Sequence, residues 1–224
     1  MTDYTIDKSR VLRYLGITGE FCPPDIDGLI EALSHKLCSL VSPKYTYKIF
    51  PLTKGEGFVL ADCGITLLGN TANEYLQGCD SCGILSATLG HEADNLIRRT
   101  QVTNMTEALI YDACATDLTE KVCDRAQREI EELAKAEGKT IGTRFSPGYG
   151  DLDIGLQRDI CSVLDTGRKI GMTHTDDFLL LPTKSVTAFV GIGLPQKINS
   201  HRAKGCENCN MKTTCAFCKK DIQI

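Results

Sequence analysis

The chain has 224 residues, with 42% hydrophobic and 24% charged, an ordinary soluble balance for one large domain or two small ones. A formal net charge of −4 disfavours a general nucleic-acid-binding surface. No apolar run approaches the roughly 20 residues a bilayer-spanning helix needs, and the opening Met1-Thr-Asp-Tyr-Thr-Ile-Asp7 has neither the basic nor the apolar region of a signal peptide. The expectation is a cytoplasmic protein. In that compartment most of the twelve cysteines would be thiols, metal ligands or redox centres, not disulfides.

Residues 7–15 carry Val11, Leu12 and Leu15 at helical spacing and stop at Gly16. Pro23-Pro24-Asp25 starts a second helix, whose apolar face is Leu29, Ile30, Leu33, Leu37 and Leu40. Residues 44–50 alternate like a half-buried strand, and Gly57–Ala61 with Ile65–Leu68 reads as a strand pair. Thr71 and Glu74 fit a capping box, so a short helix follows; Gly83–Thr88 reads as a buried strand. From Asn104 to Glu137 the apolar residues recur mostly at threes and fours, until Gly138. That helix would be roughly 50 Å long, either straight or kinked near Ala113 to Thr116. A further helix covers 154–165, and strands fall at 170–173, 178–181 and 185–192. Strands cluster at 44–88 and 170–192 with helices before, between and among them, which is an α+β pattern. No Walker loop and no G-x-G-x-x-G is present, which disfavours a phosphate cradle.

Arg144-Phe-Ser-Pro-Gly-Tyr-Gly150 is the most informative stretch. Pro147 fixes its own φ, Gly148 takes φ > 0 without steric cost, and the pair suits a type II turn. The turn would fold Tyr149 back toward Arg144. A planar guanidinium recognises a carboxylate bidentately, and a tyrosine offers an apolar face with a polar tip. Together they could hold a small zwitterion; the alternative is a surface turn with an arginine nearby.

Three blocks together resemble one family. Arg144-Phe-Ser-Pro-Gly-Tyr149 resembles the R-x-x-x-G-Y signature of the activation (reactivation) domain of cobalamin-dependent methionine synthase. Gly171 to Val186 is similar to its block ending P-x-x-S-V, and Asp112-Ala-Cys-Ala-Thr-Asp-Leu-Thr-Glu120 looks like its D-A-x-A-x-x-L-A-E helix. The order agrees, and the resemblance covers roughly residues 55–192. Ala87-Thr-Leu-Gly90 looks closer to free-standing versions of the domain, found where the synthase lacks it.

The resemblance implies a twisted, mainly antiparallel sheet packed with helices including one long helix, in a domain over 1–198 whose N-terminal helical part is about 1–42. It implies S-adenosylmethionine binding and reductive methylation of cob(II)alamin in a separate synthase. The chain would then be a methyltransferase component in methionine biosynthesis, with an electron from a flavodoxin- or ferredoxin-like donor. Arg144 would bind the ligand's carboxylate, Ser146 would meet the adenine through its backbone, and Tyr149 would face the corrin. Glu120 would lie near the ammonium or sulfonium end; on its own it also reads as an exposed helix charge. Some positions depart from the family. Its N-terminal-arm aspartate has no clear counterpart here, Asp62 being a guess. Gly150 stands where Pro is common, which would loosen the turn. Thr175-Asp176-Asp177 stands for Glu-Ser, and Val190 for an aromatic.

Residues 199–224 form a short Cys-rich tail. Cys206, Cys209, Cys215 and Cys218 make two C-x-x-C pairs able to offer four thiolates to one ion. A structural Zn site, an Fe–S cluster or redox thiols, and an unliganded tail all remain open, since spacing permits a metal without choosing it. Cys22, Cys38, Cys63, Cys114, Cys123 and Cys161 read as buried small hydrophobes, and Cys79-x2-Cys82 as packing. Lys184 and Arg98-Arg99 read as solvated surface, or as contacts for an acidic partner or a corrin amide. Two further readings of the whole stand beside the first: a metal-stabilised module docking on a corrinoid protein, and an activator of another corrinoid methyltransferase.

Overall fold

A computed structural model describes residues 4–17, 24–196 and 198. Cys206, Cys209, Cys215 and Cys218, the rest of the expected tail and Cys22 lie outside the described residues. Two strands set the frame. Along β4 (Cys79–Thr88) and β8 (Ser185–Gly193) side chains alternate between faces, and both faces are buried. In their register Ile84 opposes Phe189 on one face and Leu85 opposes Ala188 on the other. The six-stranded sheet runs β3 (Thr66–Leu67), β2 (Phe58–Leu60), β1 (Lys44–Lys54), β4, β8, β5 (Thr140–Ile141), and every neighbouring pair is antiparallel.

One face carries four helices: α1 (Lys8–Tyr14), α2 (Pro24–Leu40), α4 (His91–Thr103) and α5 (Met105–Ala136). The 32 residues of α5 form one continuous helix, about 48 Å long. Leu118, Val122, Ala126 and Ile130 recur at fours and face Leu85, Ala87, Ala188 and Val190. Asn104 caps the helix by accepting from the Glu107 N–H at 3.2 Å, and its amide donates back to the Glu107 carboxylate at 2.9 Å. The other face packs α3 (Gly69–Leu76), α6 (Leu156–Leu164) and α7 (Thr166–Ile170) over Phe50, Cys82, Ile84 and Phe189. β6 (Thr173–His174) and β7 (Leu180–Leu181) form a separate hairpin. Among the described residues no helix is long and apolar enough to cross a membrane.

The expected α+β class stands, with local corrections. The strand expected at 170–173 begins as helix: Asp165 (φ 52°) and Gly171 (φ 70°) bracket the single turn of α7, and the Thr166 hydroxyl donates to the Met172 carbonyl at 2.7 Å. α4 was not anticipated, because only Ala93 and Ile97 are buried along it. Lys184 is not solvated. Its side chain is 16% exposed, and its ammonium joins Asp112 at 2.9 Å and Thr116 Oγ1 at 3.0 Å, tying the start of β8 to α5. The cysteines among the described residues form no disulfide, and Cys82, Cys114, Cys123 and Cys161 are buried. Burial pushes Cys114 up to about 11 and Cys123 up to about 12, and raises Cys82 still further.

Candidate functional site

The Arg144 motif leaves β5 at the edge of the sheet. Phe145 exchanges backbone hydrogen bonds with Phe189 of β8 at 3.0 and 2.8 Å. Its ring is buried between Tyr75 (centroids 4.8 Å apart) and Phe189 (5.7 Å). Alternation then sends Arg144 to the opposite face, toward α5. After Ser146 the chain makes the expected type II turn: the Ser146 carbonyl accepts from the Tyr149 N–H at 3.1 Å, and Gly148 has φ 86°.

The turn is not loose at Gly150. That residue has φ 57°, which proline cannot adopt. A Cβ built on it would stand 2.2 Å from Thr71 Oγ1. The next residue explains the close approach. The Asp151 carboxylate accepts from the N–H groups of Asn70 at 2.6 Å and Thr71 at 2.8 Å. It thereby caps α3 from 80 residues away. Hydrogen bonds from Thr71 and Asn70 hold its carboxyl down at about 2. The capping box expected at Thr71 and Glu74 is therefore replaced: α3 begins at Gly69, its Ncap Leu68 offers no side-chain bond, and Asp151 does the capping.

Arg144 meets three side chains of α5. Nη2 donates to Glu120 at 2.5 Å; Nη1 donates to Asp124 at 2.6 Å and Gln127 at 2.8 Å. Glu120, Asp124 and Gln127 lie four and three residues apart, on one face of the helix. Burial opposes the charge on Arg144, but the hydrogen bond to Asp124 and the field of Glu120 outweigh it and raise its pKa. Of the five guanidinium donors, Nε–H and one Nη2–H have no acceptor among the described residues. Nε and Nη2 lie along the side-on edge of the guanidinium, the edge that suits a carboxylate. One cation beside two carboxylates is a poor site for a simple anion and a good one for a zwitterion, whose ammonium the acids would balance.

The structure thus brings Arg144 and Glu120 together, and adds Asp124 and Gln127, which sequence reasoning missed. The Ser146 N–H has no acceptor among the described residues. Tyr149 is 65% exposed. Asp62 is not part of this site: it sits in the exposed turn between β2 and β3, whereas Arg144 follows β5 at the opposite sheet edge. The N-terminal segment does hold an aspartate near α5, but the Asp7 carboxylate is occupied capping α1 through Ser9 (2.9 Å) and Arg10 (3.4 Å). Val190 is buried in the core under α5. An open cleft of 590 Å³ is lined by Tyr4, Thr5, Arg10, Asp124, Gln127 and Arg128, of which Asp124 and Gln127 also accept from Arg144.

The crystal structure of the MetH reactivation domain bound to AdoHcy matches this chain with a TM-score of 0.63 and 15% identity, over 83% of this chain and 73% of that one. The chain has the fold of the MetH reactivation domain. No protein-family model and no curated protein matches it. In this reactivation-domain fold Arg144 and Glu120, 24 residues apart, come within hydrogen-bonding distance because the strand–turn unit after α5 returns along the helix. Among the described residues no cluster of three or more histidine, cysteine or acidic side chains could hold a metal.

Proposed function

We propose that the chain binds S-adenosylmethionine and supports reductive methylation of cob(II)alamin in a separate, cytoplasmic cobalamin-dependent methionine synthase. One observation carries the reading: Arg144 is held between Glu120 and Asp124 with Nε–H and one Nη2–H still without an acceptor among the described residues, within the fold of a domain that binds AdoHcy. The side-on edge takes the ligand's carboxylate, and Glu120 and Asp124 face its ammonium. The Ser146 N–H meets the adenine. The exposed Tyr149 ring stands where a corrin brought by the partner would cover it.

The chemistry couples two steps. An electron from a flavodoxin- or ferredoxin-like donor reduces the partner's cobalt. Methyl transfer then breaks the sulfonium's S–CH3 bond, forms Co–CH3 and leaves neutral AdoHcy. Loss of the sulfonium charge draws the unfavourable reduction forward. The part of this chain is to hold and orient the methyl donor. Cys206, Cys209, Cys215 and Cys218 are proposed as thiolate ligands of zinc or an Fe–S cluster. Iron, sulfide and zinc analysis of anaerobically purified protein decides between them, and zinc alone would remove any electron-relay role.

The functional test uses a methionine synthase lacking its own reactivation domain, in its cob(II)alamin state. With reductant, S-adenosylmethionine and this chain, the absorption spectrum should convert to that of methylcobalamin. Equal conversion without the chain would refute the proposal.

A further inference from the structure

The corner where α4 meets α5 exposes three large apolar side chains that the fold itself does not use. Val102, Met105 and Leu109 are 87%, 58% and 57% exposed. Val102 stands in the last turn of α4, Met105 opens α5, and Leu109 lies one turn further on. Single exposed apolar residues are ordinary, but three at helical spacing on one corner form a patch. A groove of 460 Å³ adjoins it, lined from α4 by Ile97, Arg98 and Gln101, from α5 by Asp112 and from β7 by Leu181. Val102 is one turn after Arg98 and Leu109 one turn before Asp112, so the apolar side chains border this groove.

Charge selects the occupant. The acids of the groove are already matched: Asp94 accepts from the Thr183 N–H at 2.7 Å and Oγ1 at 2.6 Å, and Asp112 joins Lys184 at 2.9 Å. Arg98 donates to Asn95 at 2.8 Å, and neither Arg98 nor Arg99 has an ion pair among the described residues. The surplus here is cationic, in a chain of net charge −4. A second copy of the chain is a poor occupant, because a two-fold contact would set these arginines against their own copies. A lipid surface is flat, whereas a groove between helices accepts a ridge of side chains. We propose that the α4–α5 corner docks an acidic amphipathic helix of the corrinoid synthase. This rests on the reading above that the synthase is a separate protein. A detached domain lacks the effective concentration that a covalent link supplies, and a second contact restores part of it. Leu109 is about 16 Å along α5 from Glu120, so a helix docked at the corner leaves the ligand site open.

The test titrates the full chain with a methionine synthase that lacks its own reactivation domain, at low and at high salt. Val102→Asp and the double variant Arg98→Glu/Arg99→Glu should each raise the dissociation constant about tenfold or more. S-adenosylmethionine affinity should stay within about twofold in both, since all three side chains are exposed and outside the ligand site. High salt should weaken the wild type more than the double variant. Amide exchange at residues 97–110 should slow in the complex. Unchanged synthase affinity in either variant, or slowed exchange confined to residues 144–151, would overturn the inference and leave the S-adenosylmethionine reading intact. So would binding to phosphatidylserine vesicles that the variants lose while they keep the synthase. A wild-type chain that binds S-adenosylmethionine but no synthase would overturn the docking site and the partner together. One that binds neither would overturn the whole reading.

Discussion

Gly150→Ala is the sharpest perturbation of the loop that carries Tyr149. Gly150 has φ 57°, and a non-glycine residue there costs about 1–2 kcal/mol. The new Cβ would also stand 2.2 Å from Thr71 Oγ1, inside the first turn of α3. Neither backbone can retreat freely, because Asp151 ties the loop to that same turn. Overpacking of this kind adds about 1–3 kcal/mol, for a total of about 2–5 kcal/mol. In a chain of 224 residues each kcal/mol lowers Tm by about 2–4 °C. Urea unfolding of the wild type, Gly150→Ala, Thr71→Ala and the double variant separates the two parts. With Thr71→Ala the clashing hydroxyl is gone and Cβ–Cβ contact at 3.5 Å is ordinary, so only the backbone cost should remain. Wild-type stability of Gly150→Ala, or a double variant that is no better than additive, would refute the reasoning.

Other outcomes follow from the same geometry. The depressed Asp151 pKa means that its capping contribution is complete above the unfolded carboxyl value of 3.8 and is lost as pH falls through about 2. The stability gap between wild type and Asp151→Asn should be flat above that upper value and close toward the lower one; a gap that persists at pH 2 contradicts the assignment. Burial of Cys82, Cys114 and Cys123 should leave them unalkylated by iodoacetamide at pH 8 in the native chain, as read by peptide mass spectrometry. Rapid labelling of all three would contradict the packing described. Arg144→Lys keeps a charge but loses the fork, so ligand affinity should fall about tenfold or more while Tm moves little. Unchanged affinity would mean that the fork is not used.

Much of this was readable from residue spacing. The long helix announced itself because its buried residues recur at threes and fours from Ala108 to Ala134. The Pro147–Gly148 turn was legible because its two residues allow little else. What escaped depended on contacts distant in sequence. The α3 cap comes from Asp151, so Thr71 and Glu74 offered a local pattern that the fold does not use. β5 is two residues long and exists because β8 offers it a partner. Asp117, Asp124 and Gln127 carried no reading of their own beyond the helix they belong to. Their spacing relative to Glu120 — three before, four after, seven after — did place all four on one face, but nothing in the sequence supplied the cations that meet them. Arg10 precedes α5 in the chain and Arg144 follows it, and both meet the same helix.

The central claim is tested most directly by calorimetric titration of S-adenosylmethionine into the wild-type chain and Arg144→Ala, with and without the corrinoid partner. Loss of a charge-assisted carboxylate clamp is worth about 1.5–3 kcal/mol, so the dissociation constant should rise about 10- to 150-fold in Arg144→Ala. Saturable binding to the wild type at one ligand per chain, weakened by that factor, is the result the account predicts. No heat of binding to the wild type under either condition, or equal affinity for Arg144→Ala, would contradict it.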